Sequence, residues 1–105
     1  MNKNNDKQEL VPRMDAFRCT EEYRVLFDVP GVSSESTKLT SESSSLAVQA
    51  TVEVDGRSVT YARRLDLPAD AVAEDTTASL CDGVLEAKIP RRVPAEPRAV
   101  AVQST

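Results

Sequence analysis

The sequence predicts an all-β fold, an antiparallel β-sandwich of about seven short strands. The first observation is alternation: apolar residues occupy every second position through several stretches, such as Leu46–Val54, which suits one face to a core. The second is the spacing of turn signals, which recur roughly every 8 to 12 residues. Among them are the pairs Asp55-Gly56 and Asp82-Gly83, which favour tight hairpins because glycine takes a positive φ without steric cost.

The strands are justified in chain order by the same alternation. Met14–Cys19 is expected to be a short edge strand, and Tyr23–Val29 a longer one that ends at Pro30. The Ser/Thr-rich residues 33–45 could form a flexible linker, but Thr37–Thr40 within them favours a short polar strand. Further strands are expected at residues 46–54, 59–67, 76–80 and 84–89. The segment Ala69–Asp75 is too short for more than a turn.

Composition agrees with a thin, single sandwich. The 105 residues leave room for one domain, and aromatic residues are only 4%, so the core must consist mainly of Val, Leu and Ala. A net charge of −4 disfavours binding to nucleic acid. No apolar run approaches the roughly 18 residues that a membrane span needs, so we expect no membrane span.

The ends of the chain are expected to lie outside the sandwich. Met1–Leu10 is polar and is predicted to be a short mobile arm. It has no apolar region of the kind that a secretory signal needs, which predicts a cytoplasmic protein. Cys19 and Cys81 form no C-x-x-C pair and are expected to be reduced thiols; they could form a disulfide only if their strands were neighbours.

No residue pattern indicates catalysis, a cofactor or a metal site. Histidine is absent, which removes the Ser-His-Asp and Cys-His arrangements and every His-based metal site. Neighbouring acids such as Glu53 and Asp55 lie at turns or on polar faces, where solvated charge is expected rather than acid–base chemistry. We therefore predict that the chain is not an enzyme and uses no cofactor and no metal.

Two features of the sequence call for a partner. Arg63 falls on the apolar face of its strand, where an arginine must pair with a carboxylate, reach solvent at a sheet end or lie in an interface. The alternatives are that the assigned register is wrong by one residue or that the face of the strand is open at that position. Val100 and Val102 point to one side of an extended tail that prolines stiffen. They lie on their own domain, dock on another molecule or stay exposed.

The hairpin segment Ala78–Pro90 has the pattern A-x-x-x-D-G-V-L-x-x-x-I-P, which resembles the signature of the α-crystallin domain of small heat shock proteins. The signature residues are Ala78, Gly83, Val84 and Leu85. Four further segments resemble family segments in the family's order: Val11–Asp15, Tyr23–Val32, Tyr61–Pro68 and Pro97–Val102. The resemblance implies an immunoglobulin-like β-sandwich at residues 11–90, between a polar arm at residues 1–10 and a Pro-rich tail at residues 91–105.

The resemblance also implies a function. The family's members are ATP-independent holdase chaperones, which bind partly unfolded client proteins and prevent their aggregation. The resemblance places Arg63 in a dimer interface. It also implies a higher oligomer, in which Val100 and Val102 dock in a groove lined by Leu39 and Leu80 of a neighbouring dimer.

Three departures from the family pattern shape these expectations. The long apolar N-terminal arm common in the family has no counterpart in residues 1–10, and Thr37 and Thr76 replace aliphatic groove residues. Residues 54–60 are too few for a strand-exchanging loop, which leaves an edge-to-edge dimer through Ser58–Leu65.

The alternative function is a co-chaperone or adaptor, a binding module with a defined protein partner. The short arm favours this alternative, and the V-x-V tail favours the chaperone.

Overall fold

The computed structural model describes residues 7–92 and 99–104. In this part of the chain the regular structure is eight β-strands and two short 3-10 helices, at Ser34–Ser36 and Ala73–Asp75. The strands are β1 Lys7–Leu10, β2 Met14–Arg18, β3 Glu22–Asp28, β4 Thr37–Glu42, β5 Ser45–Val54, β6 Arg57–Asp66, β7 Thr77–Cys81 and β8 Val84–Pro90. Within these ranges there is no helix with the length and apolar character to cross a membrane.

The strands form two four-stranded sheets, in the orders β1-β6-β5-β4 and β2-β3-β8-β7. Every neighbouring pair is antiparallel except β1 with β6, which is parallel. The all-β antiparallel sandwich expected from the sequence is confirmed. Met14–Arg18 forms an edge strand, as expected.

The core lies between the sheets and is formed by every second residue of the central strands. Its buried members include Val25, Phe27 and Val29 near β3, Leu46, Val48 and Ala50 on β5, and Leu85, Ala87 and Ile89 on β8. Phe27 is the largest of them. The alternation in the sequence therefore identified the core-facing side of these three strands correctly.

Both Asp-Gly pairs form the predicted hairpins. Asp55 and Asp82 have φ of 52° and 50°, and the glycine after each has φ of 76°. Two consecutive positive φ angles are the mark of a type I′ turn, whose twist matches that of the flanking strands. The first turn joins β5 to β6, and the second joins β7 to β8.

The Ser/Thr-rich segment is ordered, so the alternative of a flexible linker is wrong. Ser33 and Ser36 form a capping box at the first 3-10 helix, in which each serine side chain accepts a hydrogen bond from the other's backbone N–H. β4 follows directly, and its residues Thr37–Glu42 pair with β5. Local hydrogen bonds from hydroxyl groups thus order a segment whose composition resembles that of a linker.

Lys7–Leu10 corrects the expectation of a mobile arm. These four residues form β1, which pairs with β6 from Lys7–Ser58 to Leu10–Tyr61. All four are exposed, so the segment adds little to the core, as its polar composition predicts. Pairing at a sheet edge requires only backbone hydrogen bonds, which composition does not report. Residues 1–6 of the expected arm lie outside the described residues, and the domain boundaries stay a prediction.

Candidate docking groove, tail and tail root

The sandwich is open along the edges of β4 and β7. Ala78 pairs with Ala87, and Leu39 pairs with Val48; both partners are buried core residues. Ala78 and Leu39 therefore point to the inner side of their sheets, yet Ala78 is exposed and Leu39 is only half-buried. An exposed side chain on an inner face indicates that no neighbouring strand closes the sandwich there.

The two open edges lie on the same side of the molecule. The 3-10 segment Ala73–Asp75, which leads into β7, contacts β4. Leu39 and Leu80 both pack against the same core cluster while remaining partly accessible. We call this opening the edge groove and define it by Thr37 and Leu39 on β4 and Ala78 and Leu80 on β7. The predicted groove residues Leu39 and Leu80 thus lie on the outer strands of the two sheets, and their role as a groove stays a prediction.

The hydroxyl groups of the two threonines that replace aliphatic residues near this groove donate hydrogen bonds to nearby backbone carbonyls. The Thr37 hydroxyl donates a hydrogen bond of 2.7 Å to the carbonyl of Ser33. The Thr76 hydroxyl donates one of 2.8 Å to the carbonyl of Ala73. Each donor is satisfied by its own 3-10 turn, so neither hydroxyl adds an unsatisfied donor to the groove.

The signature glycine has a structural explanation in the same region. A Cβ added to Gly83 would lie 3.0 Å from the Cα of Pro30, and the Val29 N–H donates a 2.7 Å hydrogen bond to the Gly83 carbonyl. The β7–β8 turn therefore rests against the end of β3. Of the other signature residues, Leu85 is buried and Val84 is half-buried on β8.

Val100 and Val102 are exposed by 83% and 94%. In the single chain these side chains do not lie on their own domain, so two of the three sequence-based alternatives remain: docking on another molecule or exposure. Pro94 and Pro97, which we expected to stiffen the tail, lie outside the described residues. The docking role of the two valines stays a prediction.

Arg63 lies on the inner side of β6, as the sequence parity predicted. It pairs with the buried Val48, which excludes a register error of one residue. Its Nη1 donates a 3.0 Å hydrogen bond to the carbonyl of Pro12, and Pro12 is itself buried. Within one chain, Arg63 therefore holds the segment between β1 and β2, and its role in a dimer interface stays a prediction.

A second set of residues, which no sequence motif indicated, surrounds the point where the tail leaves the domain. The Asp70 carboxylate accepts a 2.6 Å hydrogen bond from the Tyr23 hydroxyl and a 2.9 Å hydrogen bond from Nε of Arg91. These bonds lower the pKa of Asp70, with the Tyr23 bond having the largest effect. The bond to Asp70 raises the pKa of Tyr23. We call Tyr23, Asp70 and Arg91 the tail-root cluster.

The two cysteines lie on opposite edges of one sheet. Cys19 directly follows β2, Cys81 ends β7, and two strands separate β2 from β7. At about 4.8 Å per strand spacing, the separation exceeds the roughly 7 Å limit between the Cα atoms of a disulfide. Both are free thiols, so the alternative of an intrachain bridge is wrong.

The described residues include no group of three or more Cys, Asp or Glu side chains placed to hold a metal ion. Some of their acidic residues form exposed or partly exposed ion pairs, such as Glu86 with Arg24 and Glu42 with Arg64. Such pairs on the outer faces of the sheets are typical of a solvated surface.

Comparisons with a family model and with a curated protein point to the same family. The sequence model of the Hsp20/alpha crystallin family matches residues 15–103. The 23.6 kDa mitochondrial heat shock protein of rice (Oryza sativa subsp. japonica) is 38% identical over 84 residues, which are 68% of this chain and 38% of the rice protein. The chain thus spans well under half the length of that relative. Since the rice protein is mitochondrial by name, a cytoplasmic location stays a prediction.

Solved structures show the same fold. The hspA protein of Xanthomonas axonopodis superposes with a TM-score of 0.74 at 26% identity, covering 82% of this chain and 98% of its own. A small heat-shock protein from Xylella fastidiosa, described as having a distinct high order structure, superposes with a TM-score of 0.75 at 24% identity. The superposition covers 90% of this chain and 98% of the Xylella chain. Heat shock protein 16.0 from Schizosaccharomyces pombe superposes with a TM-score of 0.74 at 20% identity, covering 90% of this chain and 77% of the yeast chain.

Proposed function

Because this chain belongs to the Hsp20/alpha crystallin family, we propose that it is an ATP-independent holdase that binds partly unfolded client proteins and prevents their aggregation. A chaperone role in general accords with the family, whose members are small heat shock chaperones rather than known enzymes. The observation that carries the proposal is the coexistence of partly accessible leucines, Leu39 and Leu80, on two outer strands with a tail whose two valines are exposed.

The groove and tail suit self-association through strand addition. β4 and β7 are the outer strands of their sheets in the described part of the chain, so each offers backbone groups to an added strand. Burying two valines would contribute roughly 1.5 to 3 kcal/mol each, and the loss of translational and rotational freedom offsets much of that. The contact is therefore weak and exchangeable, and its opening would uncover the groove for clients.

A second opening would give clients a further apolar surface. It is a cleft of about 280 Å³ between β2, β3 and the end of β6. Its lining includes Ala16, Val25, Leu65 and Leu67 and is mostly apolar. Partly unfolded proteins expose extended apolar segments of the kind that such clefts accept.

Dimerisation is proposed along β6, where Arg63 lies. β1 covers the outer edge of Ser58–Tyr61, so in the described chain the longest uncovered part of β6 runs from Ala62 to Asp66. A dimer along the whole of Ser58–Leu65 would require β1 to leave β6. The shorter edge gives a weaker dimer, because each backbone pairing contributes separately.

The test is to heat an aggregation-prone enzyme with and without this protein, in the absence of ATP, and to record light scattering. We expect scattering to fall near a one-to-one ratio of chains and to be unaffected by added ATP. A similar amount of a heat-stable protein without chaperone activity serves as control. Undiminished scattering at several-fold excess would instead favour the co-chaperone or adaptor with one defined protein partner.

A further inference from the structure

The backbone of the chain is held firmly at the point where β8 ends and the tail begins. The Arg91 N–H donates a 2.9 Å hydrogen bond to the Glu21 carbonyl, and the Arg92 N–H donates a 2.7 Å hydrogen bond to the Asp70 carbonyl. Arg91 also forms an isolated β-bridge with Ala71. These contacts come from two loops, one between β2 and β3 and one between β6 and β7.

The Arg91 side chain joins the same two loops. Its Nε donates to Asp70 Oδ2 at 2.9 Å, and its Nη1 donates to the Cys19 carbonyl at 2.7 Å. The guanidinium lies 5.3 Å from the centre of the Tyr23 ring, within the range of a cation–π contact. The Tyr23 hydroxyl closes the arrangement by donating to Asp70 Oδ1 at 2.6 Å.

This cluster differs from the other ion pairs of the described residues. The Arg91 side chain is only 13% exposed, whereas both members of the Arg64–Glu42 pair are 65% exposed. A shielded arginine whose donors are shared between a carboxylate and a carbonyl is held in one geometry. Arg91 is also the first residue after β8, at the point where the tail begins.

We propose that Asp70 is a positioning residue for the tail: by holding Arg91 against Tyr23 it sets the direction in which the tail leaves the domain, and thereby which groove of a second copy Val100 and Val102 reach. The inference rests on the proposed assembly through the tail. Only residues 93–99 separate the held backbone from Val100, and they span at most roughly 25 Å. Proline fixes φ and Pro-rich segments are stiffer than Gly- or Ser-rich ones, so the sequence of that stretch, with Pro94 and Pro97, favours a reach of the valines that depends on the direction at Arg91.

The test uses the full chain with Asp70→Asn, which keeps the size of the side chain but removes its charge. Tyr23→Phe is the second variant, because it keeps the ring and removes only the hydroxyl that donates to Asp70. Glu86→Gln is the matched control. It removes the partner of Arg24 on the outer face of β3 and β8, away from the tail root.

Two measurements separate a local effect from a positioning effect. Amide hydrogen exchange at Arg91 and Arg92 reports how firmly the backbone is held at the tail-root cluster. Native mass spectrometry reports the distribution of assembly masses. We expect Asp70→Asn to speed exchange of these amides several-fold and to spread one wild-type assembly over several masses. Tyr23→Phe should give a smaller change in the same direction, and Glu86→Gln should match the wild type in both.

The outcomes distinguish this inference from the proposed function. Unchanged exchange at Arg92 in Asp70→Asn overturns the inference, and so does faster exchange with an unchanged mass distribution, since Asp70 would then act only locally. Val100→Asp/Val102→Asp is measured in parallel. If that variant has the wild-type mass, the tail does not assemble copies, so the proposed assembly through the tail and the positioning role both fail, whereas the holdase proposal is decided separately by the light-scattering test. If it lowers the mass while Asp70→Asn leaves it unchanged, only the positioning role fails.

Discussion

Gly83 lies against Pro30, so closely that a Cβ on the glycine would stand 3.0 Å from the Cα of the proline. The contact joins the β7–β8 turn to the end of β3, two places where the sequence carries separate motifs. Gly56 occupies the equivalent position in the β5–β6 turn with the same φ of 76°, but a Cβ there would meet nothing within 4 Å.

The two glycines therefore form a matched pair for mutation. Gly56→Ala should lower the free energy of unfolding by about 1 kcal/mol, because alanine is strained at positive φ. Gly83→Ala should lower it by about 1 to 3 kcal/mol more, since the methyl group also meets backbone that cannot turn aside. Urea unfolding of both variants measures the difference. Equal losses would show that the Pro30 contact relaxes freely.

Val100→Asp/Val102→Asp should reduce the assembly to its dimeric unit and leave the sandwich folded, because two carboxylates against an apolar groove lose their hydration. Size-exclusion chromatography with light scattering measures the mass. Ala99→Asp/Ala101→Asp is the control, since these residues point to the other side of an extended tail. Leu80→Asp should mimic the double variant from the groove side. A double variant that keeps a mass above that of a dimer would exclude the tail as the link.

Arg63→Ala should shift the protein from dimer toward monomer. The change also removes the hydrogen bond to Pro12, so the free energy of unfolding should fall by about 1 kcal/mol. Arg24→Ala is the control, because Arg24 is an exposed arginine on β3, away from the proposed dimer edge, and forms ion pairs with Glu22 and Glu86. Analytical ultracentrifugation measures the dimer fraction. Loss of stability with an unchanged dimer would mean that Arg63 only holds the link between β1 and β2.

Both cysteines should react with a thiol reagent after unfolding without reductant, giving two modified thiols per chain. In the folded protein Cys81 should react faster than Cys19, because Cys81 is exposed and Cys19 is half-buried. Mass spectrometry of timed samples measures both rates. Finding fewer than two reactive thiols after unfolding would contradict the free-thiol assignment.

The tail-root cluster predicts a dependence of stability on pH. The pKa of Asp70 is lowered by its bonds to Tyr23 and Arg91, so its ionised form is favoured in the folded state. The stability that this adds is fully present above the ordinary aspartate pKa of about 3.9 and is lost as pH falls through the lower folded-state pKa.

We therefore expect the stability difference between wild type and Asp70→Asn to be constant from neutral pH to about pH 5 and to shrink in stronger acid. The charged groups that face the cluster are Arg91 and, through Tyr23, Arg18; the hydrogen bond to Asp70 raises the pKa of Arg91 further, so Arg91 stays charged in this range. Urea unfolding at a series of pH values measures the difference. A difference that grows in acid would contradict the lowered pKa.

The sequence by itself determined the parts of this protein that depend on near neighbours. The two Asp-Gly turns follow from backbone preferences of adjacent residues, and the core side of β3, β5 and β8 follows from alternation along each strand. The inner-face position of Arg63 followed from the same parity. The family resemblance directed attention to Leu39 and Leu80, which lie on the outer strands β4 and β7 and pack against the core cluster.

Only the tertiary structure decided which distant residues meet. Tyr23 and Asp70 are 47 positions apart, and Arg63 and Pro12 are 51 apart, so no local pattern relates them. The pairing of β1 with β6 depends on backbone hydrogen bonds at a free edge, which side-chain composition does not encode. The opposite-edge positions of Cys19 and Cys81 likewise follow from strand order. Local preferences act through adjacent residues, whereas these contacts arise from the way two sheets are ordered and stacked.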